Sequence, residues 1–485
     1  MSLHAQMSPE AMQQLEARKR SATVLSIVIS LLVILLVGLI LAFILLTPWS
    51  KETPVIVSYS AGVEDNTEIQ PKKPTNQVER KPSAPSSSAA KVIASNTASP
   101  TAVPVPDVMV TEPSLEFGSG DDFGDGWGSD GDGSGGGGFG SIPATMSKRC
   151  SKADRMERLL SNGGTAECEE AVVKALRWLK KTQNEDGSWT GSYKAAMTGY
   201  ALLAYLGHCE TPLSEEFGDS VTRGIIYLVD LGMKQDGRLA TSPVGGHQWV
   251  YEHGIATYAL AEAYTFCHQL GLNIPNLDKV TRKAGDMIIN GQGESGGWVY
   301  GYKPTNGGDN SVGSWQVQAM KACKHTGLWD TGAFRKPARK ALEWYEKSQS
   351  PQGAIGYRGP GGASHGLTSG GVLAFQMWGE GKSKPARLGI KNISKNSEFD
   401  WDGESANLYY HYYNAQAMLN HGGVEWKNYN ERVRDVLLKH QADDGSWAKK
   451  KVKHGAINVH MTTCLATMML EVYYRFLPAT GEGVK

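Results

Sequence analysis

The sequence predicts an all-α protein whose main part is a single (α/α)6 toroid, preceded by a transmembrane helix and a disordered linker. Three observations lead to this prediction. An uncharged apolar run lies near the N-terminus, a stretch of biased composition follows it, and a short turn sequence then recurs six times between helices. The expected boundaries are a short cytoplasmic tail at 1–21, a transmembrane helix at 22–47, a linker at 48–146 and the toroid at 147–485.

The apolar run from Ala22 to Leu46 contains no charged residue. It exceeds the roughly 20 residues that a helix needs to cross a bilayer. A cleaved signal peptide would have an apolar region of roughly 7–15 residues, so the length favours an uncleaved anchor. Arg18, Lys19 and Arg20 precede the run, and the positive-inside rule therefore places the N-terminus in the cytoplasm. We expect a single-pass protein of the inner (cytoplasmic) membrane with a periplasmic or extracytoplasmic C-terminal domain.

The predicted linker has a composition that does not support a folded core. Ser, Ala, Pro and Thr dominate it up to Pro113, and no Lys or Arg occurs between Val92 and Ser147. Such a stretch cannot bury enough apolar surface to offset the entropy that ordering would cost. A Gly/Asp tract from Gly118 to Gly140 continues it and is typical of a flexible tether.

Overall charge and cysteine usage exclude several classes of protein. The chain has 49 basic and 49 acidic residues, so its overall charge indicates neither a nucleic-acid partner nor an electrostatic membrane patch. Six cysteines occur without CxxC spacing. Cys209, Cys267, Cys323 and Cys464 lie near or within apolar helical stretches, and we expect them to be small buried thiols.

A recurring turn sequence organises the C-terminal two-thirds of the chain. Self-similarity at a period of about 50 residues is typical of an array of supersecondary units. The two clearest copies are nearly identical and lie at opposite ends of the domain, and four weaker copies lie between them. The six turns are Gln183–Trp189, Lys234–Leu239, Gly293–Trp298, Gln349–Ile355, Asp400–Glu404 and Gln441–Trp447.

The helices on either side of each turn differ in character. The preceding helix is amphipathic, as Val172, Leu176 and Leu179 show in the first unit. Only the fifth unit, Pro385 to Asn396, has little periodicity. The following helix is almost free of charge and must therefore be buried on all sides. These uncharged stretches are Ala195–Gly207, Gly366–Trp378, Ala406–Leu419 and Met461–Leu470, with Ile255–Cys267 carrying only Glu262.

The alternation of amphipathic helices, exposed on one face, with fully buried helices predicts two concentric rings. A straight solenoid would expose its ends and require polar capping repeats. Here the inner helices at both ends are as uncharged as those in the middle. We therefore expect six hairpins to close on themselves around a central cavity, with the turns of Trp189 and Trp447 in neighbouring units.

The turn Gln183–Trp189 resembles the QW repeat of squalene–hopene and oxidosqualene cyclases. The toroid is similar to that of these cyclases and of protein prenyltransferase β-subunits, and the similarity covers roughly Glu169 to Pro478. The segments Gly297–Gln316 and Tyr473–Pro478 particularly resemble prenyltransferase and squalene oxidase repeat proteins of planctomycete-type bacteria. This resemblance is specific for the fold and much less so for the reaction, because one fold hosts many functions.

The family's catalytic motifs are incomplete in this sequence. Triterpene cyclases protonate an alkene with an Asp of a DxDD motif, and no DxDD occurs here. Asp309 stands in a comparable place at the start of an inner helix. Two interpretations stay open for it: a general acid in the cavity, or an N-cap that accepts N–H groups from Val312 or Gly313.

The zinc site of protein prenyltransferases is also incomplete. His460 matches the zinc-ligating histidine of that family, and Cys464 lies one turn later. A catalytic zinc ion needs three protein ligands around an open position, and only two can be assembled here. We therefore expect no metal and no cofactor.

Aromatic residues and histidines gather in the turns and at the starts of the inner helices, where a cavity mouth is expected. A concave apolar site with a few converging polar groups is the default candidate for ligand binding. We expect a binding protein for a hydrophobic small molecule or an extended envelope polymer or protein. Two enzyme alternatives remain: a cyclase-like or prenyl-handling enzyme that uses Asp309, and a polysaccharide lyase-type enzyme on the same fold. The candidate cavity residues are His253, Trp298, Tyr300, Trp315, Tyr357, His365, Tyr409, His411 and His460.

Overall fold

The computed structural model describes residues 149–302, 307–330, 332–448 and 458–475. The predicted tail, transmembrane helix and linker lie outside the described residues. Within the described part of the chain, no helix is both long enough and apolar enough to cross a membrane.

The described residues form helices and no strand, apart from an isolated bridge between Gln349 and Ile355. The all-α prediction is confirmed. The helices are α1 (Lys152–Ser161), α2 (Ala166–Lys181), α3 (Lys194–Gly207), α4 (Gly218–Lys234), α5 (Gln248–Gln269), α6 (Leu277–Asn290) and α7 (Asn310–His325). They continue as α8 (Arg335–Lys347), α9 (His365–Met377), α10 (Lys384–Asn396), α11 (Leu408–His421), α12 (Gly423–Lys439), α13 (Val459–Leu470) and α14 (Val472–Arg475).

Six of these helices form a closed inner ring. In order around the ring they are α3, α5, α7, α9, α11 and α13, and α13 packs against α3 again. The helices that precede them, α2, α4, α6, α8, α10 and α12, lie outside, and α12 contacts α2. The structure therefore has the predicted α/α toroid architecture, with the first and last hairpins in contact.

Burial follows the predicted division between outer and inner helices. Helix α2 buries one stripe that includes Val172, Leu176 and Leu179, while its Lys and Glu residues mostly face solvent. Helix α3 is buried at every position from Ala195 to Gly207. Helix α10 forms despite its weak periodicity, because Ser383 caps its N-terminus and its Gly389 packs closely against Val372 of α9.

The Gln and Trp of the turns join each hairpin to the next. The Gln183 side-chain amide donates to the carbonyl oxygens of Gly187, in its own turn, and Ser220, in the next outer helix, both at 2.9 Å. The indole N–H of Trp189 donates to Leu179 O, at the end of the preceding outer helix. The turn thus connects two outer helices and its own hairpin through backbone acceptors.

The first and the last turn each contain a glycine at a position where a side chain would not fit. Gly187 and Gly445 have φ of +83° and +93°, a region that L-residues with a Cβ avoid. A Cβ on Gly445 would lie 2.4 Å from Lys174 O in α2. The last turn therefore packs directly on the first outer helix, as ring closure requires.

Helices α1 and α14 contact each other at the end of the ring where the inner helices finish. Arg475 is buried there, where its guanidinium donates to Leu203 O and pairs with Glu262 at 3.1 Å. Cys150 and Cys209 form a disulfide beside this cluster. The expectation that Cys209 is a buried thiol is therefore wrong; its partner precedes the first helix, in a region where helical patterning gave no information.

Candidate functional site

A cavity of about 1210 Å³ opens among the N-terminal ends of the inner helices and the turns that lead into them. All six inner helices contribute to it. Nine of its lining side chains are aromatic: Tyr193, Tyr200, Tyr251, Tyr300, Trp315, Tyr357, Tyr409, Tyr410 and Tyr413.

Helical phase decides which residues reach this cavity. On α5 the lining positions are Gln248, Tyr251, Glu252 and Ile255, which share one face at i, i+3, i+4 and i+7 spacing. The same spacing holds for the residues that α3 and the residue before it contribute, from Tyr193 to Tyr200. Helices α3 and α5 therefore each present a single stripe to the cavity and pack their remaining faces against neighbouring helices.

Five of the residues predicted from sequence line the cavity, namely Tyr300, Trp315, Tyr357, His365 and Tyr409. Trp315 lies at the centre of an aromatic cluster. Its indole N–H donates to the Tyr409 hydroxyl at 2.8 Å, and its ring stacks on Tyr412 at 5.3 Å.

Three predicted histidines do not line the cavity, because each is held in the wall by hydrogen bonds. His253 accepts from Leu239 N and contacts Ala284 O, at 3.0 and 3.1 Å. His411 lies between the Tyr429 hydroxyl and backbone carbonyl oxygens. His460 contacts Met197 O at 2.8 Å. Burial lowers the pKa of His253 and His460 to about 4 and that of His411 to about 3, so all three are neutral.

Trp298 is also absent from the lining. Its indole N–H donates to Ile288 O, just as Trp189 donates to Leu179 O in the first turn. Trp298 is therefore a turn residue that joins α6 to its hairpin.

Asp309 is the N-cap of α7 and is not among the lining residues. Its Oδ1 atom accepts from Ser311 N at 3.0 Å, Val312 N at 3.3 Å and the Ser311 hydroxyl at 2.5 Å. The side chain is 1% exposed, and its Oδ2 atom has no hydrogen bond within the part of the chain that the structure describes. Asp309 thus has the geometry of an N-cap that uses only one of its two carboxylate oxygens among the described residues.

Tyrosine hydroxyls connect the region of Asp309 to the cavity. Tyr251 shares a hydrogen bond of 2.6 Å with Ser311, the residue that donates to Asp309. Tyr300 and Tyr357 share one of 2.5 Å. Burial and the nearby Asp309 carboxylate raise the pKa of Tyr357. One wall of the cavity is therefore a row of protonated hydroxyl groups.

Asn310 holds Tyr357 in this row. Its backbone N–H donates to Tyr357 O at 3.0 Å, and its side-chain amide donates to Gly356 O at 2.7 Å. The Trp344 indole donates to its amide oxygen at 2.7 Å. Asn310 is fully buried, so these bonds fix the loop of the fourth hairpin against the start of α7.

Burial favours the neutral form of most tyrosines and of the histidine in the lining, which also contains the carboxylates of Glu252 and Glu404. Burial raises the pKa of seven lining tyrosines: Tyr200, Tyr251, Tyr300, Tyr357, Tyr409, Tyr410 and Tyr413. Burial lowers the pKa of His365, which favours the neutral imidazole. The carboxylate of Glu252 accepts from Ala195 N, Thr241 N and Oγ1, and Ser242 N, so it is engaged within the wall. No Lys or Arg occurs among the described lining residues.

His460 and Cys464 approach to 3.5 Å. In the described ranges no group of three His, Cys, Asp or Glu side chains could hold a metal ion.

Sequence reasoning missed Tyr193, Tyr200, Gln248 and Ser311. An α-helical phase fixed on Tyr251 and Ile255 would have indicated Gln248, because it lies one turn earlier on the same face. Tyr193 precedes α3 in a left-handed backbone conformation, for which the sequence gives no signal.

No protein-family model matches the chain. A segment is 24% identical over 133 residues to the lanosterol synthase erg7A of Aspergillus fumigatus. The match covers 27% of this chain and only 17% of that protein, so the chain spans a small part of the length of this relative.

Two solved structures with α/α toroid folds are similar to the chain. One is an inactive variant of an α-1,6-mannanase from Salegentibacter sp. HEL1_6, with a TM-score of 0.48 and 8% identity, covering 63% of this chain and 98% of that chain. The other is the type II terpene cyclase MstE from Scytonema, with a TM-score of 0.42 and 12% identity, covering 64% and 98%. These similarities are limited to the fold.

Proposed function

We propose that this protein binds a neutral, largely apolar small molecule in its central cavity and that the cavity is a binding site without a catalytic set. The observation that carries the proposal is the lining itself. Nine aromatic side chains surround a volume of about 1210 Å³, and burial keeps the pKa values of seven of its tyrosines and of His365 on the side of the neutral form. Ligand sites in proteins are typically concave and apolar with a few polar groups, and this cavity fits that description.

The absence of cationic side chains from the described lining argues against an anionic ligand. A diphosphate or a uronate would have to lose its hydration without gaining an ion pair, which is strongly unfavourable. Glu252, the buried carboxylate of the lining, already accepts four hydrogen bonds and cannot turn toward a cationic ligand without breaking them. Nothing in the described cavity therefore favours the polysaccharide lyase alternative.

The two sides of the cavity differ, which favours a ligand with a polar end. Ala196, Met197 and Met461 line it from α3 and α13. Across the ring lie the hydroxyl groups of Ser311 on α7 and of Tyr357 in the loop before α9. A ligand with an apolar body and a hydroxyl or carbonyl group would place each part against matching chemistry.

A second candidate, an acid-catalysed cyclase, is favoured by one observation. The Asp309 carboxylate is buried, its Oδ2 atom has no hydrogen bond within the described ranges, and it lies close enough to Tyr357 of the hydroxyl row to raise the pKa of that tyrosine. Its test is the incubation of the full chain with squalene and analysis of the products by gas chromatography and mass spectrometry. A cyclised product that disappears in Asp309→Asn would support the acid role, since Asn caps a helix about as well but cannot donate a strong-acid proton. No cyclised product from the wild type would remove this candidate.

The proposed location is outside the cytoplasm, anchored by the N-terminal apolar run. The disulfide between Cys150 and Cys209 supports it, because such bonds persist in oxidising compartments and are rare in the cytosol. A reporter fused after Lys485 is expected to be active only outside the cytoplasm. Activity of that reporter inside would overturn both the orientation and the location.

A matched pair of probes tests the proposed binding. Geranylgeraniol and geranylgeranyl diphosphate have the same apolar chain and differ in charge. A ligand that binds only the folded state raises the melting temperature by mass action. We expect geranylgeraniol to raise the melting temperature of the full chain, and not that of Ala196→Trp, in which the cavity is filled. A shift with the diphosphate alone, or an equal shift in both proteins, would contradict the proposal.

A further inference from the structure

The outer helices of the toroid differ in charge. Helices α2 and α12 each carry four basic and three acidic residues, and α4 carries two of each. Helix α8 carries five basic and two acidic residues, and α10 carries four basic residues and no acidic one. The balanced total charge of the chain therefore conceals a basic side on the fourth and fifth hairpins.

The spacing of these charges is unfavourable for the helix itself. Arg387, Lys391 and Lys395 follow each other at i, i+4 on α10, and all three are exposed. Like charges at this spacing destabilise a helix. Among the described residues, none of the observed ion pairs includes a carboxylate partner for these three side chains. An external anion would relieve this repulsion.

Helices α8 and α10 are the outer helices of consecutive hairpins, and the turn between them joins the two. The turn that follows α8 is bound to α10, because the Gln349 amide donates to Pro385 O at 2.9 Å. Gly353 of the same turn packs against Leu388 O. We define the basic face as Lys336, Arg339 and Lys340 of α8 with Arg387, Lys391 and Lys395 of α10.

The same chain contains a segment of opposite charge. Residues 107–132 carry eight carboxylates, and no Lys or Arg occurs between Val92 and Ser147. This segment lies outside the described residues. The stretch from Asp132 to Arg149 can reach on the order of 50 Å when extended.

We propose that the basic face is the docking surface for the acidic segment 107–132 of the same chain. Tethering favours this occupant over a free polyanion, because a short tether gives an effective concentration in the millimolar range. Each ion pair between exposed groups contributes little free energy and is screened by salt. Several such pairs between the basic face and the acidic segment together give a larger contribution. The consequence is a salt-sensitive contact that holds the linker against the fourth and fifth hairpins.

Zero-length carbodiimide cross-linking of the full chain tests this proposal, since it joins carboxylates only to amines in direct contact. We expect cross-links from segment 107–132 to Lys336, Lys340, Lys391 and Lys395 at low salt. Their yield is expected to fall about tenfold in 1 M NaCl, where the Debye length shrinks to ~3 Å. The Lys residues of α1 and α2 are nearer along the chain and report on proximity alone.

A pair of triple variants separates docking from proximity. Replacing Arg387, Lys391 and Lys395 with Gln is expected to lower the cross-links to Lys336 and Lys340, which are unchanged in that variant. Replacing Lys174, Lys180 and Lys181 of α2 with Gln is expected to leave those cross-links at wild-type yield. Cross-links that favour α1 and α2, or a complete lack of them, would overturn the proposal. Cross-links between differently isotope-labelled molecules would overturn it as well, because the occupant would then be a second copy.

Discussion

The side-chain amide of Gln441 donates to the carbonyl oxygen of Ala171 at 2.8 Å, across 270 residues of sequence. The same amide also donates to Gly445 O in its own turn at 3.0 Å. Gln292 makes the equivalent pair of bonds inside the ring, to Gly296 O and Pro337 O. The ring is therefore closed by the same contact that joins its interior hairpins.

Gln441→Ala is expected to lower the free energy of unfolding by about 1–2 kcal/mol, because it removes two hydrogen bonds to partly buried carbonyl groups. Gln292→Ala is the matched control, since it removes the equivalent two bonds within the ring. Urea unfolding measures both. A loss for Gln292→Ala with none for Gln441→Ala would indicate that the first and last hairpins are not joined in solution.

Loss of the disulfide is expected to destabilise the toroid strongly. Cys150→Ser removes a cross-link between residues 59 apart, and the chain-entropy model assigns about 4 kcal/mol to a loop of this size. Thermal unfolding with and without reductant checks it, with Cys267→Ser as the control for a buried free thiol. Equal melting temperatures for the reduced and oxidised wild-type protein would contradict the expectation.

The stability of the toroid is expected to depend on pH through His208 and Glu169, which are in contact at 3.0 Å. Burial opposes the charged imidazole, but hydrogen bonds with Glu169 and Glu210 outweigh it and raise the pKa of His208 to about 9. Burial likewise opposes the Glu169 carboxylate, yet His208 and Arg155 lower its pKa to about 2.

The sign of each contribution follows from these shifts. The contribution of His208 is fully present below its unfolded-state pKa of about 6.5 and is lost as the pH rises through about 9. The contribution of Glu169 is present above about pH 4.5 and is lost as the pH falls through about 2. His208→Gln is expected to reduce the alkaline loss in urea titrations between pH 6 and 10, because the buried Glu471, whose pKa burial raises to about 8, also contributes to that loss. An unchanged alkaline profile would show that other groups cause it.

Asp309→Ala is expected to destabilise the protein by about 1 kcal/mol, because it removes the N-cap of α7, whereas Asp309→Asn is expected to leave stability nearly unchanged. Thermal unfolding of the two variants measures the difference. Equal and large losses in both would show that the charge of Asp309, rather than its capping geometry, stabilises the start of α7.

The sequence predicts the architecture because charge separates the two rings. Outer helices such as α2 alternate apolar and charged positions, whereas α3 between Ala195 and Gly207 carries no charge. That contrast, together with the turns Gln183–Trp189 and Gln441–Trp447, is sufficient to predict hairpins, their number and their closure.

The lack of charge on the inner helices also prevents the sequence from showing which of their residues line the cavity. An inner helix that is uncharged on all sides has no polar face to mark its orientation, so the sequence does not show that Glu252 faces the cavity while His253 faces α6. Packing between the inner helices decides which face of each helix lines the cavity. A sequence pattern gives no information about that packing. Trp298 could have been excluded from sequence, because its place in the turn matches that of Trp189.

The central claim, a neutral ligand in the aromatic cavity, is tested most directly by extracting small molecules from the purified full chain and identifying them by mass spectrometry. Ala196→Trp, with the same outer surface and a filled cavity, is the matched control, and its circular dichroism spectrum must match that of the wild type. We expect a neutral molecule with an apolar body in the wild-type extract and its strong depletion in the variant extract. Recovery of an anionic or cationic molecule specific to the wild type, or equal amounts of the neutral one from both proteins, would contradict the account.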